Sequence, residues 1–188
     1  QTITNSYLKD WPSVDLDVIQ RFQFAAMEAL LAHEIDIIVT PDPVLKRQLK
    51  FVPVFDYEQV LVVSGQHPYK DYDHVEPEDL GEETLFTYPV CSDRLDIFSD
   101  FLTPVGRTVK RQKLIETTEI MIQKVACDRG VTALPRWMVN EFSERYDIHP
   151  VKLGKIGVQK KIYLGVRQED ADIDYIQAFL EQAQSSIK

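Results

Sequence analysis

The chain has 188 residues, enough for one domain or two small ones, and either can bury a working core. Its 44% hydrophobic and 27% charged residues are ordinary for a globular protein, while a formal net charge of −9 argues against nucleic-acid binding. A phosphate-facing surface needs a basic stripe, and no apolar run approaches the roughly 20 residues that cross a bilayer. The one basic run, Lys110-Arg111-Gln112-Lys113, reads as a solvated strand face. Cys91 and Cys127 lack CxxC spacing and histidine neighbours, which suits a reducing cytoplasm, and no secretory leader is expected. Cys127 is expected to be a small buried hydrophobe, and Cys91 to lie in a loop open to solvent.

Residues 2–10 read as the end of a helix closed by Trp11-Pro12. Val14-Asp15-Leu16-Asp17-Val18 alternates apolar and polar residues, the period of a half-buried strand. Gln23 to Glu34 places Phe24, Met27, Leu30 and Leu31 on one helical face, and Ile35 to Val39 follows as a buried strand. Strand, helix and strand with tight connections predict a right-handed βαβ unit and parallel pairing. Phe51 to Phe55 and Val60 to Val63 predict two strands joined by a turn at Asp56. Gly65-Gln66-His67-Pro68 is a strand-ending loop, followed by a polar stretch with a short helix at Glu76 to Leu80. This linker-like stretch is the expected crossing from a first subdomain, residues 1–67 and 162–188, to a second, residues 68–161.

The second subdomain opens with a strand, Leu85 to Tyr88, stopped by Pro89. A helix from Asp93 to Phe101 turns Leu95, Phe98 and Leu102 inward, and Val109 to Glu116 returns as a strand. Thr117 and Thr118 stand where the next helix starts, because a hydroxyl there can accept first-turn amides. Ile120, Met121, Val125 and Ala126 form its apolar stripe, and Gly130 is placed to leave it with positive φ. Val131 to Leu134 is then a short buried strand stopped by Pro135. A hydroxyl-bearing helix start of this kind suits a small anionic group. Arg136 to Arg145 is a helix with Met138, Val139 and Phe142 inward, and Ile148 to Leu153 is a strand. Lys161 to Val166 is a long strand that crosses back, and Asp174 to Ala183 a helix presenting Ile176, Phe179 and Leu180. Alternating elements throughout predict α/β architecture.

Catalytic patterns find little support. There is no GxGxxG, no phosphate-binding loop and no Gly-x-Ser-x-Gly elbow. His33, His67, His74 and His149 never stand at i, i+4 with a carboxylate, so a zinc site is not expected. Most carboxylates fall in solvated runs such as Glu82-Glu83 and Glu169-Asp170, which single out no acid/base pair.

The order of elements, with a helix followed by Gly130-Val131-Thr132-Ala133-Leu134-Pro135, resembles the effector-binding domain of LysR-type transcriptional regulators. Ile35 to Val39 after the first helix, the strand leading to His67-Pro68, and Pro77-Glu78-Asp79-Leu80 support it in order along the chain. Trp11-Pro12-x-Val14, Phe55-Asp56-Tyr57-Glu58, Tyr88-Pro89-Val90, Arg94-Leu95-Asp96 and Ala133-Leu134-Pro135-x-Trp137 carry a likeness to the family's regulators of methionine biosynthesis.

The resemblance implies α/β architecture as two Rossmann-like subdomains of periplasmic-binding-protein type II, with a small effector in the cleft between them. It implies no catalysis, no metal and no cofactor beyond that co-effector, which is homocysteine in the methionine regulators. Thr87, Tyr88, Ser92, Arg94, Thr117 and Thr118 are the implied ligand residues. Arg94 can pair with a carboxylate bidentately or join a surface ion pair, Thr118 can serve as ligand or helix cap, and Phe24 can line the cleft or the core. A cytoplasmic homo-oligomer, dimer or tetramer, is implied, with an apolar face around Tyr7 and Leu8 in the interface. No membrane contact is implied, and DNA contact belongs to an N-terminal winged helix-turn-helix domain outside this chain. The family's domain opens with a strand and a hydroxyl-rich loop, whereas this chain starts at Gln1 inside the following helix, so that strand is expected upstream. A solute-binding protein of the same fold is the alternative from another class.

Overall fold

In the computed structural model residues 2–22, 24–44 and 46–185 are described. In chain order they form α1 (Thr2–Asp10), α2 (Ala26–Leu31), β1 (Ile37–Thr40), β2 (Leu49–Ser64), β3 (His74–Val75), β4 (Thr84–Thr87) and β5 (Arg111–Leu114). There follow α3 (Thr118–Ala126), β6 (Val131–Pro135), α4 (Arg136–Ser143), β7 (Ile148–Leu153), β8 (Val158–Arg167) and α5 (Asp174–Ser185). The chain divides into two compact units, one reaching to Asp56 and resuming at Lys161, the other running from Tyr57 to Lys160. The expected crossing near residue 67 therefore differs from the observed division, which falls inside β2 and β8. The two predicted strands flanking Asp56 are one 16-residue strand with no turn between them. Polar Asp56 and Glu58 do not end it because a strand persists wherever its backbone keeps ladder partners.

In the first unit β1 runs antiparallel to β8, with Ile38 opposite Gly165. Leu164, Val166, Ile176, Leu180 and Ala183 form one core, and Leu30, Ile38 and Leu49 another. Tyr7 is buried edge-on against Phe179 at 5.0 Å, and its hydroxyl donates to the Tyr175 carbonyl at 2.7 Å. Tyr7 thus docks α1 on α5 and offers no face to a partner; Leu8 alone of the expected pair is exposed. Buried Arg167 donates to the carbonyls of Leu30 (2.8 Å) and Ile35 (2.6 Å) and pairs with Asp36 and Asp170, closing the end of α2.

Several expectations change in this unit. Residues 14–18 form no strand, and Val18 is largely exposed. Alternation alone makes no strand without a neighbouring backbone to pair with. The predicted βαβ unit is accordingly absent among the described residues, and β1 pairs antiparallel, with Val39 facing out. α2 starts at Ala26; Phe24 stands half-buried in the turn before it, and Gln23 lies outside the described residues.

In the second unit the strands run in the order β5-β4-β6-β2-β7, with β3 alongside β7. β4 is parallel to β5 and β6, while β2 is antiparallel to β6 and β7. β2 sends Val60 and Val62 to the face covered by α3 and α4, and Leu61 and Val63 to the other. All four are fully buried, worth about 1.5–3 kcal/mol each. The predicted helix from Asp93 is broken into a 3-10 turn (Ser92–Arg94) and a π-helical turn (Ile97–Leu102) that buries Ile97, Phe98, Phe101 and Leu102. α3 buries Met121, Ile122 and Val125, whereas Ile120 points out. Cys127 is exposed rather than buried, because α3 ends at Ala126 and the chain turns at Asp128 (φ 53°). Gly130 has φ 148°, and a Cβ there would stand 2.3 Å from the Thr84 carbonyl.

Candidate functional site

Because β4, β5 and β6 are parallel, their C-terminal ends at Thr87, Leu114 and Pro135 lie along one edge of the second unit's sheet. Gln59 sits opposite Pro135 and so reaches the same edge, and α3 starts there after β5. This is the edge at which open α/β sheets gather polar groups toward a ligand.

A small cavity with room for about one water-sized group opens here. Gln59, Thr87, Tyr88, Asp96, Met121 and Thr132 contribute its polar and sulfur-bearing wall. Thr87 is buried, and its Oγ1 accepts a hydrogen bond from Gln112 Nε2 at 2.8 Å. The Tyr88 hydroxyl and Thr118 Oγ1 share a hydrogen bond of 2.6 Å, which ties the chain after β4 to the first turn of α3. Burial pushes the Tyr88 phenol up, against the opposing pull of that bond. The Thr132 hydroxyl lies 2.9 Å from the Phe86 carbonyl and 2.7 Å from Met121 Sδ.

Lys160 Nζ stands 2.9 Å from Asp96 and 2.8 Å from Asp100, one ammonium between two carboxylates. Burial works to lower the Lys160 pKa, but hydrogen bonds to Asp100 and Asp96 outweigh it and hold the ammonium charged. The Tyr57 hydroxyl donates to Asp96 at 3.3 Å, and burial, then the Asp96 charge, pushes that phenol far up. Gln59 is 9% exposed, and its Oε1 is a buried acceptor with no partner, a state that costs about 1–3 kcal/mol.

Of the ligand residues expected from sequence, the structure gathers Thr87, Tyr88 and Thr118. Thr117 is the exposed N-cap of α3, but its side chain makes no capping bond; its carbonyl closes the first turn through the Met121 amide at 3.1 Å. Thr118 spends its hydroxyl on Tyr88, a partner 30 residues away that no local rule includes. Ser92 and Arg94 stand on an exposed 3-10 turn and do not line the cavity, although Leu95 and Asp96 just after it do. Sequence reasoning missed Gln59, Asp96, Gln112 and Thr132. Gln59 had a visible signal: it shares its strand face with fully buried Leu61 and Val63, where a polar residue is out of place.

The LysR substrate binding domain matches residues 2–188. The chain belongs to that family. The transcriptional regulator MetR of Escherichia coli K12 is 34% identical over 180 residues, 96% of this chain and 56% of the relative. MetR of Buchnera aphidicola is 36% identical over 165 residues, covering 87% and 52%. The chain thus spans about half the length of these relatives. The regulatory domain of MetR from N. meningitidis is 31% identical with a TM-score of 0.81, covering 97% of this chain and 84% of that one. The Synechocystis CcmR regulatory domain, solved with 2-PG, shares the fold at a TM-score of 0.83 and 16% identity, covering 100% of this chain and 90% of that one. This chain is therefore a MetR-like effector-binding domain of a LysR-type regulator, with the α/β fold of periplasmic-binding-protein type II. The family is one of transcription regulators rather than enzymes. Among the described residues no helix is long and apolar enough to cross a membrane.

Proposed function

We propose that this domain senses homocysteine, or a close amino-acid analogue, and thereby controls methionine-biosynthesis genes. An amino acid needs donors for its carboxylate and acceptors for its ammonium. The observation that carries the reading is the hydroxyl-rich start of α3, where Thr118 is fixed to Tyr88 and Thr117 makes no capping bond. The first-turn amides of a helix have no intrahelical partners, so this end suits a carboxylate. Thr87 stands next to it with its oxygen already accepting from Gln112, which aims its hydroxyl proton elsewhere. The relatedness to MetR supports the choice of ligand.

Binding of this kind does no chemistry. A ligand that prefers one arrangement of the regulator shifts the population of that arrangement. The regulator works as a homo-oligomer in the cytoplasm, with DNA read by a domain outside this chain. Calorimetric titration of the full-length protein with homocysteine, methionine and cysteine tests the proposal. Homocysteine is expected to bind most tightly; no heat with any of the three sinks it.

A further inference from the structure

We propose that Gln112 is a positioning residue for the effector site, one that fixes the Thr87 hydroxyl as a donor to a carboxylate oxygen of the ligand. The inference rests on the amino-acid reading above and goes further by naming the residue that sets the polarity of one contact. Thr87 lines the cavity and is 5% exposed, and its Oγ1 accepts from Gln112 Nε2 at 2.8 Å. Among the described residues no acceptor takes the Thr87 hydroxyl proton. A buried donor left unspent costs about 1–3 kcal/mol unless a bound group receives it. The second unit thus holds one hydroxyl proton in reserve at the cavity wall.

The strands decide which way that proton turns. β4 and β5 are parallel, with Gln112 opposite Leu85 and Leu114 opposite Thr87. Alternation puts Gln112, Leu85 and Thr87 on one face of the sheet, so the carboxamide reaches Thr87 along the diagonal. It arrives from the β5 side of β4, whereas Thr132 and Ala133, which line the cavity, stand on β6 at the other side. Gln112 itself is exposed and does not line the cavity. A hydroxyl oxygen that accepts an N–H turns its own proton away from that donor, because two hydrogens cannot occupy one line. The Thr87 proton is therefore turned from β5 toward the cavity side. A carboxylate only accepts and matches this donor; an ammonium only donates and does not. A carboxylate side chain in place of Gln112 reverses the arrangement, since it takes the Thr87 proton and leaves lone pairs toward the cavity.

The test is a double-mutant cycle in the full-length protein, with L-homocysteine affinity read by calorimetry for wild type, Gln112→Glu, Thr87→Val and the double variant. Gln112→Glu is expected to weaken binding about tenfold, as Thr87→Val does, because each removes the same donated hydrogen bond. In the Thr87→Val background Gln112→Glu is expected to change affinity less than about twofold, since no hydroxyl is left to position. Binding by Gln112→Glu equal to that of wild type overturns the positioning role. So does a tenfold loss that persists in the Thr87→Val background, which would mean that the added charge acts on the ligand directly. Either result leaves the homocysteine reading standing. If wild type binds no homocysteine, that reading falls, and sodium acetate, titrated against equal sodium chloride, decides the role of Gln112 by nuclear magnetic resonance. An acetate-specific shift of the Thr87 resonances that Gln112→Glu loses upholds it; no such shift, or one that Gln112→Glu keeps, overturns it.

Discussion

Replacing Arg167 by methionine tests the reasoning used for the first unit, because it keeps most of the side-chain volume and removes only the guanidinium. Arg167 is 6% exposed and is held by two backbone carbonyls and two carboxylates. Leu30 is fully buried, but its carbonyl also accepts from the His33 amide at 3.3 Å, so losing the guanidinium there costs about 1 kcal/mol. The Ile35 carbonyl is half-buried and adds about 1 kcal/mol. Asp170 is largely buried and left without its cation, about 1–2 kcal/mol more, whereas Asp36 has a 70% exposed side chain and returns to water at little cost. Together these give a loss of about 3–4 kcal/mol, within the range for breaking a buried pair. Urea denaturation followed by circular dichroism reads it as a lower midpoint. Arg167→Lys is expected to recover less than half, because an ammonium cannot span both carbonyls and both carboxylates. A loss below about 1 kcal/mol for Arg167→Met would refute the claim that this guanidinium closes α2.

Thr87→Val removes only a hydroxyl and is expected to weaken homocysteine binding about tenfold while changing stability by less than about 1 kcal/mol, since Gln112 is exposed and resolvates. Unchanged affinity in calorimetry would make Thr87 purely structural. Gly130→Ala is expected to cost about 2–4 kcal/mol in urea midpoints, from its φ of 148° and the 2.3 Å approach to the Thr84 carbonyl; a cost under about 0.5 kcal/mol counts against that contact. Tyr57, Tyr88 and Lys160 all have folded pKa values raised above their ordinary ones. Their contribution is complete below about pH 10 and is lost as pH rises through the folded values. Stability is thus expected to fall above about pH 10, and less steeply in Tyr57→Phe; an equally steep fall in that variant refutes the role of its phenol.

The sequence by itself determined the elements whose signals are local. β7 forms at Ile148–Leu153 as its residues predict, α5 starts at Asp174, and the glycine after α3 adopts positive φ. A helix buries its own stripe whatever it packs against, and a close backbone approach demands glycine wherever it occurs. The family resemblance was legible for the same reason, since it rests on a run of such local motifs.

What needed the tertiary structure was every feature that depends on a distant partner. Residues 14–18 alternate like a strand but have no ladder, whereas β2 runs through Asp56 because its ladders continue. Thr118 reads as a helix cap until Tyr88 arrives to take its hydroxyl. Arg167 and Gln59 are ordinary polar residues in the chain; only folding places one among four acceptors and buries the other with its acceptor oxygen unpartnered. Periodicity reports which face of an element is buried. It carries no information about what that face meets, and in this protein the meeting makes both the clamp on α2 and the candidate site.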